Sequence, residues 1–217
     1  MDWAAKRDWA TGEHEARLAT PAAEGEREDF RLAGIAGASW AAGLSAMMLG
    51  ERAEATVFLR RAADEYDTSW RAAPAGAWGR PIAMLRCRLI AGDDEGARRD
   101  AEAALAAGGG EAPGPIGGYC AALALLVLGR EAEARPIAER IAGEGLEPVA
   151  VAHALAALAS SDEPAFEATR RDVLRSFEER DAFLEDVPVA DTVLVLDALA
   201  HIRGLEITRL TSTLLPK

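Results

Sequence analysis

The sequence predicts an all-α fold of stacked antiparallel helical hairpins closed by a short extended C-terminal tail. Three observations predict it. Ala, Leu, Glu and Arg dominate the 217 residues, with Gly and Pro falling as punctuation between long helix-compatible runs. Several runs carry a single apolar stripe at helical spacing on an otherwise charged rod. A glycine-centred turn recurs three times. Nine or ten helices follow, and a chain of this length and 50% hydrophobic content suffices for one core. The expected organisation is a single domain over 1–217, with hairpins over about 37–181, a buried helix over 187–203 and a tail over 204–217.

The recurring turn reads Leu49-Gly50-Glu51-Arg52-Ala53-Glu54-Ala55, then Ala91-Gly92-Asp93-Asp94-Glu95-Gly96-Ala97, then Leu128-Gly129-Arg130-Glu131-Ala132-Glu133-Ala134. An apolar segment precedes each glycine: Trp40 to Leu49, Ile82 to Ala91, and Tyr119 to Leu128. Small or apolar residues follow four and seven positions on, as Ala55/Leu59/Ala62, Ala97/Ala101/Ala104 and Ala134/Ala138/Ile141. The unit is a helical hairpin. Glycine permits the tight turn, acidic residues meet the positive end of the second helix, and alanine lets the two helices approach. A degraded fourth copy begins at Ser161.

Between the second and third units, Gly108-Gly109-Gly110 to Gly117-Gly118 has neither a preceding strand nor a Gly-Lys-Ser sequence, so it reads as a loop and not a phosphate cradle. Pro136 is expected to kink or delay the helix after Gly129. Phe166, Thr169, Val173, Leu174 and Phe177 form the stripe of a helix starting near Asp162, with Ser160 and Glu163 as a capping box. From Val187 to Ile202 apolar residues point to most sides, which places that helix in the core. Gly204 ends it, and Ile207, Leu210, Leu214 and Leu215 dock the tail back onto the helices.

The second-helix half of the hairpin resembles the tetratricopeptide repeat, whose turn has a Gly, an acidic residue and Glu-Ala at the same offsets, and three copies span about Gly37 to Ile141. The first-helix half departs from that pattern, with Ser39, Pro81 and Gly118 where a large aromatic is expected. That family lines its inner surface with first helices. Here these are apolar (Leu44, Met47, Met48; Leu85, Leu89, Ile90; Leu123, Leu126, Val127), so the expectation is a compact array whose inner face is covered. A second resemblance runs through Ser39-Trp40-Ala41-Ala42 with Met47, Pro74 to Pro81, Ile90 to Asp94, Phe166 to Phe177, and the ending Leu194 to Leu199, Gly204-Leu205-Glu206-Ile207 and Leu214-Leu215-Pro216. Together these are similar to the Immunity protein 49 family of bacterial polymorphic-toxin systems. That resemblance implies a protein that binds and silences a cognate toxin, and supplies no defined site residue.

Composition narrows the chemistry. A formal net charge of -12 repels a phosphate backbone and makes a basic protein the better partner, with no nucleic acid expected. Cys87 and Cys120 form no CxxC, and no metal-ligand spacing joins them to His14, His153 or His201, so neither metal nor cofactor is expected. The amino end lacks the apolar stretch of a signal peptide, and Cys120 to Leu128 is too short to cross a membrane, which points to the cytoplasm. No nucleophile stands beside a base, so the reading is a binding protein and not an enzyme. His14 is placed on a solvated helix, His153 among packed Ala and Leu, His201 at a helix end, and Asp197 at a solvated helix edge.

Two segments are candidate binding surfaces. One is the acidic run Glu178, Glu179, Asp181, Glu185 and Asp186, a docking patch for a basic partner or a solvated face. The other is the loop bearing Trp70, Trp78 and Arg80, residue types common as interface anchors, although Trp78 has an alternative role in stapling the next helix. An immunity-type inhibitor is the leading reading, with a general helical-repeat scaffold or adaptor or an accessory protein as the alternative, an enzyme as a distant third, and a homodimer as a further possibility.

Overall fold

The computed structural model describes residues 1–217 and contains ten α-helices and no strand. They are α1 (Trp3–Ala19), α2 (Glu28–Met48), α3 (Arg52–Ala72), α4 (Gly79–Ile90), α5 (Asp94–Ala106), α6 (Gly114–Val127), α7 (Glu131–Gly143), α8 (Val149–Ala159), α9 (Glu163–Glu178) and α10 (Asp191–Ile202). No helix is long and apolar enough to cross a membrane. Consecutive helices pack on each other in chain order, as stacked hairpins require.

The turns sort the array into two edges. After α2, α4 and α6 stand Gly50, Gly92 and Gly129, with φ of 81°, 65° and 69°. Each turn carries the same pair of hydrogen bonds. The residue after the glycine donates five residues back (Glu51 to Ala46 O, Asp93 to Arg88 O, Arg130 to Leu125 O) and the glycine three residues back, which is the Schellman cap. The pattern recurs after α8, where Ser161 occupies the glycine position with φ 53°, and after α10 at Gly204 with φ 68°. Ser161 is therefore the fourth copy of the turn, as its sequence position suggests. The longer connections all lie on the opposite edge: 20–27, 73–78, 107–113, 144–148 and 179–190.

Within the hairpins the recurring small residues meet the facing helix. Ala55, Leu59, Ala62, Ala97, Ala101, Ala104, Ala134, Ala138 and Ile141 are fully buried. Close approach also needs glycine on the other side. A Cβ at Gly43 would lie 2.7 Å from Leu59 Cγ, and one at Gly118 would collide with Ile141 Cγ2.

Helix α6 touches α4 on one side and α8 on the other as an inner layer, and α10 lies against α4, α8 and α9. The apolar inner face is thus covered by the chain's own last helix. One core cluster runs from α4 to α10 and includes Leu123, Leu126, Leu155, Phe166, Leu196 and Leu199; a second joins α1 to α4 around Trp40, Leu44, Leu59 and Met84. Ile90 and Leu194 pack against both. The tail returns to the first of these: Leu215 is buried, Leu205, Ile207, Leu210 and Leu214 are partly buried, and Ala190 N donates to Leu214 O at 2.9 Å.

Local expectations needed correction in four places. Residues 187–190 are extended, and the buried helix begins only at Asp191, although Val187 and Val189 are buried. Helix α9 is capped by Asp162, whose Oδ1 accepts from Ala165 N at 3.0 Å; the Ser160 hydroxyl instead donates back to Ala156 O and closes α8. Pro136 stands inside α7, which starts directly after its turn at Glu131, so the helix is not delayed. Gly117 and Gly118 belong to α6, and the loop before them contains a single 3-10 turn at Gly109–Glu111.

A side chain in the left-handed region is disfavoured by about 1 kcal/mol or more, partly offset by the larger unfolded-state freedom of glycine. Ser161→Gly is therefore expected to stabilise the protein by about 0.5 kcal/mol, read as a higher urea midpoint at unchanged slope. Gly43→Ala is expected to shift the midpoint the other way by about 1–3 kcal/mol of overpacking.

Candidate partner-binding edge

Alternation of antiparallel helices puts both candidate segments on the long-loop edge, the loop 73–78 between α3 and α4 and the segment 179–190 between α9 and α10. The second is a strap. It leaves the last outer helix and returns across the array to the first hairpin, where Glu185 pairs with Arg17 of α1 and lies against Gly37 of α2. Tyr66 of α3 is buried, and burial pushes its phenol up.

The Trp70 to Arg80 loop is built into the fold. Arg80 donates to Ser69 Oγ at 2.9 Å, lies 3.7 Å from Asp29 Oδ2 and covers the Phe30 ring at 5.3 Å. Trp70 and Trp78 are half-buried and pack around Ile82, Ala104 and Cys120. These three side chains are half-buried and engaged by the fold. The aromatic exposed here is Phe30, 56% accessible, with Arg27 at 4.6 Å on its ring.

The acidic run divides. Glu185 is half-buried and bonded to Arg17, so it is a structural carboxylate. Glu178, Glu179, Asp181 and Asp186 are exposed and form no ion pair; Glu178 accepts only from Ser212 Oγ at 2.8 Å. Arg180, the one cation among them, is drawn onto the Phe177 ring at 3.7 Å, and burial together with nearby Arg86 holds its pKa below the usual range.

Buried and half-buried guanidiniums fasten α10 to the array. Arg86 of α4 meets Asp191 at the start of α10. Arg170 of α9, fully buried, reaches Asp197 Oδ1 at 2.5 Å, Glu167 at 3.2 Å and the carbonyl of Thr208 in the tail. Arg203 donates to Leu199 O at 2.9 Å, to Leu126 O and to Glu131 Oε1 at 3.1 Å. Arg88 gathers Asp64, Asp93 and Asp100 where α3, α4 and α5 meet. Asp197 is thus not a solvated edge residue: burial pushes its carboxyl up, against the pull of Arg170. Sequence reasoning passed over these arginines, yet a signal was present. Arg170 stands four residues after Phe166 and three before Val173, on the buried stripe, and Arg88 lies likewise between Met84, Leu85 and Leu89.

Two of the histidines also depart from expectation. His14 is buried, with Nε2 2.6 Å from Glu65 Oε1 of α3, whereas His153 is exposed. His201 is exposed at the end of α10, where a cation suits the helix dipole. No three His, Cys, Asp or Glu side chains are grouped to hold a metal ion. Comparison with protein-family models, with curated proteins and with solved structures gives no match. Function is therefore argued from this geometry.

Two outcomes test the inward-facing groups. Burial pushes the Cys87 and Cys120 thiols up to about 12. Both are expected to resist iodoacetamide at about pH 8 until the chain unfolds. Because the folded state holds these protons more tightly, their contribution to stability is complete below the unfolded thiol pKa near 9 and is lost as pH rises towards about 12. Trp78→Ala is expected to lower unfolding free energy by about 2–3 kcal/mol while leaving partner affinity unchanged, checked by denaturant titration beside a binding isotherm.

Proposed function

We propose that this chain is a protein-binding helical-repeat protein of tetratricopeptide-like construction whose long-loop edge, centred on the acidic strap, engages a basic protein partner. The observation that carries the reading is the set of four exposed, unpaired carboxylates, Glu178, Glu179, Asp181 and Asp186, on a segment fixed at both ends. Around α7, by contrast, arginines neutralise neighbouring acids, as in Arg130 with Glu133, Arg135 with Glu139 and Arg140 with Glu144. Uncompensated charge on a held scaffold steers encounter with an oppositely charged partner. The inner groove, where a helical-repeat protein would take a peptide, is occupied by α10, which favours binding at the edge.

The most concrete form of this reading is an immunity-type inhibitor that blocks a bacterial toxin by binding it, in keeping with the resemblance to the Immunity protein 49 family. Two free, buried cysteines suit a cytoplasmic site of action. A scaffold or adaptor is the alternative, distinguished by the partner: an immunity protein binds the toxin-domain product of a neighbouring gene, a scaffold joins components of another kind.

The test is the combined variant Glu178→Gln, Glu179→Gln, Asp181→Asn and Asp186→Asn, measured by stopped-flow against that toxin-domain protein. Its association rate at low salt is expected to fall about tenfold or more and its salt dependence to flatten, with helicity and melting temperature retained. An unchanged association rate and salt slope, or no binding by the parent chain, removes the reading.

A further inference from the structure

The strap is pinned unequally. Its second half is anchored by Val187 and Val189 in the core of the first helices, while Glu179 to Ala182 and Leu184 are exposed. Between these regions Glu185 and Asp186 both adopt φ of 51°, a conformation that disfavours side chains. Arg17 opposes that strain. Its Nη1 and Nη2 donate to Glu185 Oε1 and Oε2 at 2.9 and 3.0 Å, and Nη1 also donates to Gly34 O at 2.7 Å. The seat needs a missing side chain as well, since a Cβ on Gly37 would lie 2.8 Å from Glu185 Oε1. Glu13, one turn before Arg17 and 3.4 Å from Nη2, offers the guanidinium a second carboxylate on its own helix.

From this geometry we infer that the Arg17–Glu185 contact is a latch that holds the strap closed on α2, released when a cationic group of the partner replaces Arg17 on Glu185. The inference rests on the acidic-edge reading for the identity of the releasing group, and on the strap geometry alone for the latch. Solvent already reaches the pair, whose side chains are 29% and 15% exposed, so an incoming guanidinium meets it without unfolding the core. Release relieves two left-handed residues, transfers Arg17 to Glu13, and adds Glu185 to the four carboxylates facing the partner. Arg17 and Gly37 are in this account positioning residues, remote in sequence from the surface they set.

Hydrogen exchange of the full chain tests it, because in the closed strap Asp186 N and Val187 N donate to Phe183 O and Leu184 O, each at 3.1 Å. Arg17→Gln and Gly37→Ala are each expected to speed exchange at 183–187 about tenfold or more, with α10 amides unchanged and Arg17→Lys intermediate. Glu185→Gln supplies the same test should Gly37→Ala fail to fold. Wild-type rates at 183–187 in folded Arg17→Gln and Glu185→Gln overturn the latch. Octa-arginine peptide is expected to speed the same amides in the parent chain and add nothing in Arg17→Gln; no effect on the parent chain overturns release by a cationic group. The variant with four neutralised carboxylates keeps its response to Arg17→Gln if the latch is correct, so failure of the acidic-edge reading and failure of the latch are seen separately.

Discussion

An array of helical hairpins has an apolar inner face that neighbouring hairpins alone do not cover, and everything else in this molecule depends on how that face is closed. Leu85, Leu89 and Leu155 are buried where α10 packs on α4 and α8, bringing Val193, Leu196 and Leu199, and Leu123 and Leu126 of α6 join the same core. Burial of apolar area is non-directional, so it brings the last helix in without fixing its register. Buried and half-buried guanidiniums do that. Arg86 takes Asp191 at one end of α10, Arg170 takes Asp197 in the middle, and Arg203 reaches Leu126 O and Glu131 at the other. A shift would leave the buried Arg170 or the buried Asp191 without a partner, which penalises an alternative register.

Closure also divides the surface. The short-turn edge is fixed by five Schellman caps, with backbone bonds satisfied locally and little chain to vary. The long-loop edge gathers connections whose conformation is set by side chains: Arg80 on Asp29 and Ser69, Arg17 on Glu185, and Trp78 against the helices below. Such an edge presents charge on a rigid base, the arrangement in which binding residues on loops are held ready without ordering at the moment of contact.

The acidic balance of the chain acquires a location in this arrangement. Many carboxylates are absorbed by neighbouring arginines along helix faces, where exposed pairs contribute little to stability but cancel the local field. On the strap the only arginine stacks on the Phe177 ring, and Glu178, Glu179, Asp181 and Asp186 face solvent without an ion pair. The same five acidic residues read as one run in sequence therefore have two roles, four facing solvent and one holding the strap.

The sequence by itself determined the elements. Helix-forming composition, the 3.6-residue stripes and the glycine turns are local properties, legible because each is satisfied within a few residues, and Gly50, Gly92, Gly129 and even Ser161 adopt the conformation their shared position implies. The apolar first helices also announced that the inner face would be covered. What only the tertiary structure decided was which partners the polar groups found. A cationic side chain held inside the fold is indistinguishable in composition from a surface one until its carboxylate arrives from a distant element, as Asp197 does for Arg170, Glu65 for His14 and Glu185 for the partly exposed Arg17. Trp70, Trp78 and Arg80 have the chemistry of anchors, but their direction depends on how α3 and α4 pack, which no local pattern specifies. Short-range hydrogen bonding fixes the elements, whereas pairing charges across sequence separations as long as that from Arg17 to Glu185 requires the finished core.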